Sequence, residues 1–181
     1  RGKKAVERDL EDAKKTFDEL KEEDRPYFDE DALWNPYGDT RLLYGDPETE
    51  VTRFIVGIDM ETPELLLADR LREKGRSIDL VLAHHPEGMG LNGLPAVMAL
   101  QIDLFAELGV PLHAAEGLML DRMKEIGRKL MPGNQWRPVD AARLLDIPYA
   151  CFHTVADNMV ASHLQNRLDK TAPRRLEDVV D

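Results

Sequence analysis

A single cysteine, Cys151, stands among the 181 residues. One cysteine can form neither a disulfide within the chain nor a cysteine-cluster zinc site, and it suits a reducing compartment, so a cytoplasmic protein is expected. Positive charge is also scarce: 24 Lys and Arg against 35 Asp and Glu give a net charge of −11 and a pI near 4.9. A surface of that sign repels phosphate backbones, and nucleic acid is not an expected partner. Long apolar runs are missing. The longest uncharged stretch, Gly88 to Ile102, is interrupted by Gly, Asn and Pro and is shorter than a bilayer requires, so no membrane span is expected. No signal-peptide pattern opens the chain. There is no Gly-rich phosphate loop, no G-x-S-x-G elbow and no H-E-x-x-H helix, so nucleophilic serine catalysis has no support. What is present is globular. Hydrophobic residues make up 43% and charged residues 33%, and the length is enough to bury the core of one α/β domain, or of a domain with an appended arm.

Charge is spread unevenly. Residues 1–50 hold 16 acidic and 9 basic residues, and the remainder 19 and 15. Within the acidic third, Val6, Leu10, Ala13, Phe17 and Leu20 form one narrow apolar helical seam. It reads as an arm packed on the main domain or as a self-association helix, and residues 1–30 are set apart as an N-terminal helical arm before an α/β domain over 31–181. Residues 25–50, rich in Pro, Gly, Asp and aromatics, read as an ordered loop.

Beyond it, strands and helices alternate. Phe54–Ile58 reads as a buried strand ending at Asp59. Residues 63–74 read as a helix, with Thr62 as N-cap, Pro63 in the first turn and Gly75 past the end. Ile78–Ala83 is a second strand, ending at His84-His85. A buried helix over 95–108 follows, then a brief strand Val110–Leu112 ending at His113, though Pro111 cannot donate to a ladder. Met119, Met123, Ile126 and Leu130 mark another helix, and Pro132-Gly133-Asn134 a turn. Val139–Leu145 is a short helix, Tyr149–Phe152 a strand ending at His153, and Val160, Leu164 and Leu168 stripe a last helix. The expected fold is α/β, a largely parallel or mixed sheet with helical crossovers, preceded by the helical arm.

Four of the five histidines, His84, His85, His113 and His153, fall at strand ends, as does Asp59. In an open parallel sheet that rim is where ligands bind. Imidazoles and carboxylates gathered there suit a divalent metal without thiolate. Neighbouring residues of an extended strand face opposite ways. At a turning strand end, with Pro86 holding His85 extended, the two rings could instead address two ions side by side, roughly 3.5–4 Å apart. The plainer alternative is a set of polar loop histidines without a ligand. His153 and Asp157, four apart across a strand end and a helix start, can converge; Asp157 alone would serve as a helix cap. His113 is a ligand, a supporting donor or a structural residue, and Glu87 and Glu116 are carboxylates of similar standing. His163 faces away from Asp157 around a helix, and Cys151 reads as a small buried apolar residue.

Four elements then carry a family resemblance: Gly38-Asp39-Thr40-Arg41-Leu42-Leu43-Tyr44-Gly45-Asp46 through Val51, the strand ending at Asp59, Val81-Leu82-Ala83-His84-His85-Pro86, and Ile147-Pro148-Tyr149-Ala150-Cys151-Phe152-His153-Thr154 through Asp157. In this order they resemble the Nif-three-like family, whose members are also named GTP cyclohydrolase I type 2 homologues. The resemblance spans residues 38–168. It implies an α/β fold, a homo-oligomer and a dinuclear site with His84, His85 and Asp157 as metal ligands and His153 as part of the same motif. Three departures accompany it. The family's usual His-x-x-x-Glu pair near the C-terminus has no counterpart, and residues 176–181 read as an unfinished helix, so a chain shortened at that end is expected. The interval from His85 to His153 is longer than usual. The family's Trp-Asp-Asn reads Trp34-Asn35-Pro36.

The expected cofactors are two divalent ions per site, Zn, Mn, Fe or Ni, and the expected activity is metal-dependent hydrolysis of a small molecule, with no general base singled out securely. The alternative is a metal-binding scaffold or interaction protein without turnover. A DHH-type phosphoesterase ranks last, because Ala83 stands where that motif needs Asp.

Overall fold

The computed structural model describes residues 3–130, 132–175 and 177–179. Helix α1 (Lys3–Glu19) lays its apolar seam, half-buried, against its own chain: Phe17 meets Phe28 with ring centroids 5.2 Å apart, and Arg8 pairs with Asp103 at 2.8 Å. Two 3₁₀ turns, Arg25–Tyr27 and Glu30–Leu33, then lead to β1 (Thr40–Tyr44). The loop expected over 25–50 therefore contains a strand. Arg41 explains how this polar segment is held. Its guanidinium, almost wholly enclosed, grips both carboxylate oxygens of Asp29 at 2.6 and 2.9 Å and also reaches Asp31. The pair holds the Asp29 carboxyl below the usual range.

Next come β2 (Phe54–Gly57), α2 (Thr62–Glu73) and β3 (Leu80–Ala83). Glu61, rather than Thr62, caps α2. Its side chain and that of Glu64 take each other's backbone N–H in a capping box, and the Thr62 hydroxyl is left buried without a partner. Pro63 and Gly75, at φ +77°, mark the two ends as the sequence predicts.

The region 88–130 departs most from expectation. The helix placed at 95–108 is two, α3 (Gly88–Val97) and α4 (Leu100–Glu107). Pro95 withholds an N–H, and the hydrogen bonds across the join tighten: Ala99 N–H to the Ala96 carbonyl and Gln101 N–H to the Met98 carbonyl, each at 3.0 Å. By length and composition alone, the 20 residues Gly88–Glu107 are apolar enough to cross a membrane, with mean hydropathy 1.3; here they fold as this broken pair. The strand expected at Val110–Leu112 does not form. Pro111 instead opens α5 (Leu112–Leu130), its carbonyl accepting N–H bonds from Ala114 and Ala115, and His113 lies in that helix's first turn. Helix α6 (Arg137–Leu144), β4 (Tyr149–Phe152) and α7 (Thr154–Thr171) complete the order, followed by a 3₁₀ turn at Glu177–Val179. The rest of the unfinished helix read at 176–181 lies outside the described residues.

The sheet is mixed, in the order β1-β4-β3-β2. The β2–β3 and β3–β4 pairs are parallel, and β1 runs antiparallel to β4. Its core lies on one face. Leu65 and Ala68 of α2 and Val139 and Ala142 of α6 enclose Val81, Ala83, Tyr149 and Cys151. Helix α3 joins the same face so closely that a Cβ on Gly90 would meet the Cys151 sulfur at 2.7 Å. The Tyr149 hydroxyl, whose ionisation burial pushes well up, donates to the Met60 carbonyl at 2.7 Å. The opposite face carries the register row Leu42–Ala150–Leu82–Val56, of which only Ala150 is buried.

Candidate metal centre

The parallel pairing of β2, β3 and β4 delivers three strand ends to one rim. His84 and His85 follow β3 directly and continue its ladder for two more bonds, their N–H groups donating to the Gly57 and Ile58 carbonyls at 2.9 and 2.8 Å. His153 sits between β4 and α7 as the helix's N-cap residue, its N–H donating to the Thr40 hydroxyl at 3.1 Å. Asp157 lies in the first turn of α7, where the helix dipole favours a carboxylate.

Each imidazole is anchored through Nδ1. His84 Nδ1 is 3.1 Å from the Phe152 carbonyl, which can only accept, so that nitrogen carries the proton. His153 Nδ1 lies 3.0 Å from Asp39, and His85 Nδ1 lies 2.7 Å from Asp59. All three hydrogen bonds favour the tautomer with an open lone pair on Nε2. The His84 Nε2 is 3.5 Å from one Asp157 oxygen and the His153 Nε2 is 3.9 Å from the other. Donor atoms of His84, His153 and Asp157 lie within 4.8 Å of one another, and so could hold one ion. The His85 ring centroid is 5.2 Å from that of His84 and 6.1 Å from that of His153, beside this trio.

Asp39 is the residue that reasoning from sequence missed. Its carboxylate is wholly buried and accepts from His153 and, at 2.6 Å, from the Thr154 hydroxyl. Nothing local distinguishes an Asp between Gly and Thr; its partner lies 114 residues away and arrives only when β1 pairs with β4. Asp59, noted only for its strand-end position, proves to hold His85. Glu87 stands near Asp59, Glu61, Arg137 and His85, and burial pushes its carboxyl up to about 7. Cys151 donates its S–H to the Asp39 carbonyl at 3.3 Å, and burial pushes the thiol up to about 11, so it is a protonated packing residue. His113 and Glu116 sit on α5, outside the cluster, and His163 is exposed on α7.

A crystal structure of a NIF3 superfamily protein from Sphaerobacter thermophilus is similar to this chain, with 26% sequence identity and a TM-score of 0.65. The fold is NIF3-like. The likeness covers 80% of this chain and 52% of that one, so the chain spans about half the length of the structure it matches. No protein-family model and no curated protein matches it. The motifs that suggested the Nif-three-like resemblance thus lie within a fold of the same kind. In this NIF3-like chain the site brings together residues such as Asp39 and Thr154, 115 positions apart, which no single motif predicts.

Proposed function

We propose that this NIF3-like chain is a metal-binding protein in which His84, His153 and Asp157 hold one divalent ion and His85, beside them, takes part in holding a second. The carrying observation is the anchoring of all three imidazoles through Nδ1. Metal-ligating histidines characteristically donate their other ring N–H to a carboxylate or backbone carbonyl, which fixes ring orientation and raises ligand basicity. Asp39, the Phe152 carbonyl and Asp59 occupy those supporting places. Mixed nitrogen and oxygen donors without thiolate suit Zn, Mn, Fe or Ni.

We further propose a hydrolase acting on a small molecule. A pair of divalent ions supplies Lewis acidity and water acidified toward neutral pH. The chain's own contribution is positional. Asp39 and Asp59 hold two rings in place, and Glu87, with its carboxyl pushed up to about 7, can accept and return a proton near neutrality. One observation favours the second reading, a metal-binding scaffold without turnover. The site is open, with the Asp157 and His85 side chains 58% and 51% exposed, where hydrolases commonly exclude water.

Elemental analysis of protein prepared without chelator tests the metal reading. Bound divalent metal is expected, with loss of at least the trio's ion in the double variant His84→Ala, Asp157→Ala. Unchanged metal content in that variant refutes the assignment. A hydrolase substrate screen with Mn, Zn and Fe then separates enzyme from scaffold.

A further inference from the structure

A guanidinium stands at the rim of the candidate centre. Arg137 opens α6, and the turn that carries it is fixed to the loop after the paired histidines. The Gly88 N–H donates to the Gln135 carbonyl at 2.9 Å, and the Gln135 side-chain amide donates to Asn92 at 2.6 Å. Gly88 sits at φ +54°, and a Cβ there would meet a Val139 methyl at 2.8 Å, so the loop and the start of α6 are pressed together. From this place Arg137 donates through Nη2 to Glu61 at 2.5 Å. Glu61 lies two residues past Asp59, the partner of His85, and Glu87, two residues past His85, also stands near Arg137.

Arg137 differs from Arg41, the guanidinium that fastens the N-terminal segment. The Arg41 side chain is 8% exposed and is taken up by Asp29 and Asp31 together, as a structural ion pair is. The Arg137 side chain is 60% exposed, and among the described residues its side chain makes one hydrogen bond, which occupies Nη2 and leaves the Nε and Nη1 donors without a partner. An ion pair so exposed adds little to stability. A guanidinium with free donors is a planar fork suited to two-point recognition of a carboxylate or phosphate. The surroundings are otherwise acidic: Asp59, Glu61, Glu87 and Asp157 border the rim, and the whole chain carries −11. An anion approaches such a rim when divalent ions offset those carboxylates, and Arg137 then supplies the protein's own fixed positive charge beside them.

We infer that Arg137 is a specificity-determining residue that reads an oxyanion group, phosphate or carboxylate, on the small molecule this site takes, with Glu61 holding the guanidinium in place. The inference rests on the proposed metal centre, and elemental analysis before each titration keeps the two apart. Isothermal titration calorimetry of the full chain loaded with Mn uses inorganic phosphate and acetate as separate probes. At least one should bind, and Arg137→Gln should weaken that binding about 10-fold or more with metal content unchanged, as loss of a charge-assisted hydrogen bond does. The probe that loses affinity identifies the group as phosphate or carboxylate. Glu61→Gln should bind the same probe as tightly as the natural chain or more tightly, because Gln still accepts from Arg137 and from the α2 backbone while one competing charge is gone. Glu61→Gln weakening the probe as much as Arg137→Gln marks a purely structural pair and overturns the inference, as does an Arg137→Gln variant with unchanged affinity for both probes. Bound metal with neither probe bound overturns this inference alone. A natural chain without bound metal overturns the metal centre and this inference with it.

Discussion

The two faces of the sheet are made from the same short strands, yet one is closed and the other open. On the closed face, Val81, Tyr149 and Cys151 meet α2, α3 and α6, and their exposure falls to zero. On the other, Leu42 and Val56 meet no element with comparable cover among the described residues, and only Ala150 of their row is buried. Alternation alone assigns side chains to faces. The crossovers decide which face is buried, because α2 and α6 return on the same side. The candidate metal centre stands on the rim between the two. It draws rigidity from the closed side through Asp39, and remains open on the side of Asp157.

Several substitutions sharpen that contrast. Leu65→Ala, deep on the closed face, should have the largest effect, about 3 kcal/mol lost in urea unfolding, because it leaves a cavity under the sheet. Asp39→Ala should cost about 2 kcal/mol by stranding the His153 ring N–H and the Thr154 hydroxyl. It should also weaken metal binding about 10- to 100-fold by calorimetric titration, as losses of a ligand's supporting partner do. Tyr149→Phe removes one buried hydrogen bond and should cost about 1 kcal/mol. On the open face, Val56→Ser should alter unfolding by less than about 0.5 kcal/mol. An equal loss at Val56 and Leu65 would erase the difference between the faces.

Glu87 adds a pH-dependent contrast. Burial raises its folded-state pKa from 4.5 to about 7. Between those values the folded protein keeps a proton that the unfolded chain has released. Stability attributable to this group is therefore present below pH 4.5 and is lost as pH rises through about 7. Chemical denaturation of metal-free protein across that window should show the decline, and Glu87→Gln should flatten it.

Much of the fold was legible in the sequence wherever local pattern and tertiary outcome agreed. The strand Tyr149–Phe152 is found where expected, and α2 falls within one residue of its reading, because buried apolar runs and end signals are local properties. β1 was not legible. Thr40–Tyr44 sits in a Pro-, Gly- and Asp-rich segment and becomes a strand through pairing with β4, far along the chain. Val110–Leu112 failed in the opposite direction. A short apolar run suits strand or helix equally, and Pro111 settled it by starting α5. His113 left the rim with it. Of the four metal-centre residues singled out, His84, His153 and Asp157 come together, with His85 adjacent.

By itself the sequence determined the chemistry available. Its histidines and carboxylates follow short apolar runs, with one cysteine too buried in character to serve, because residue type and local periodicity are written along the chain. Only tertiary structure decided which nitrogen each imidazole turns outward and which face of the sheet stays bare. Those outcomes depend on Asp39, Asp59 and the Phe152 carbonyl reaching rings that are distant in sequence, and on crossover helices choosing one side.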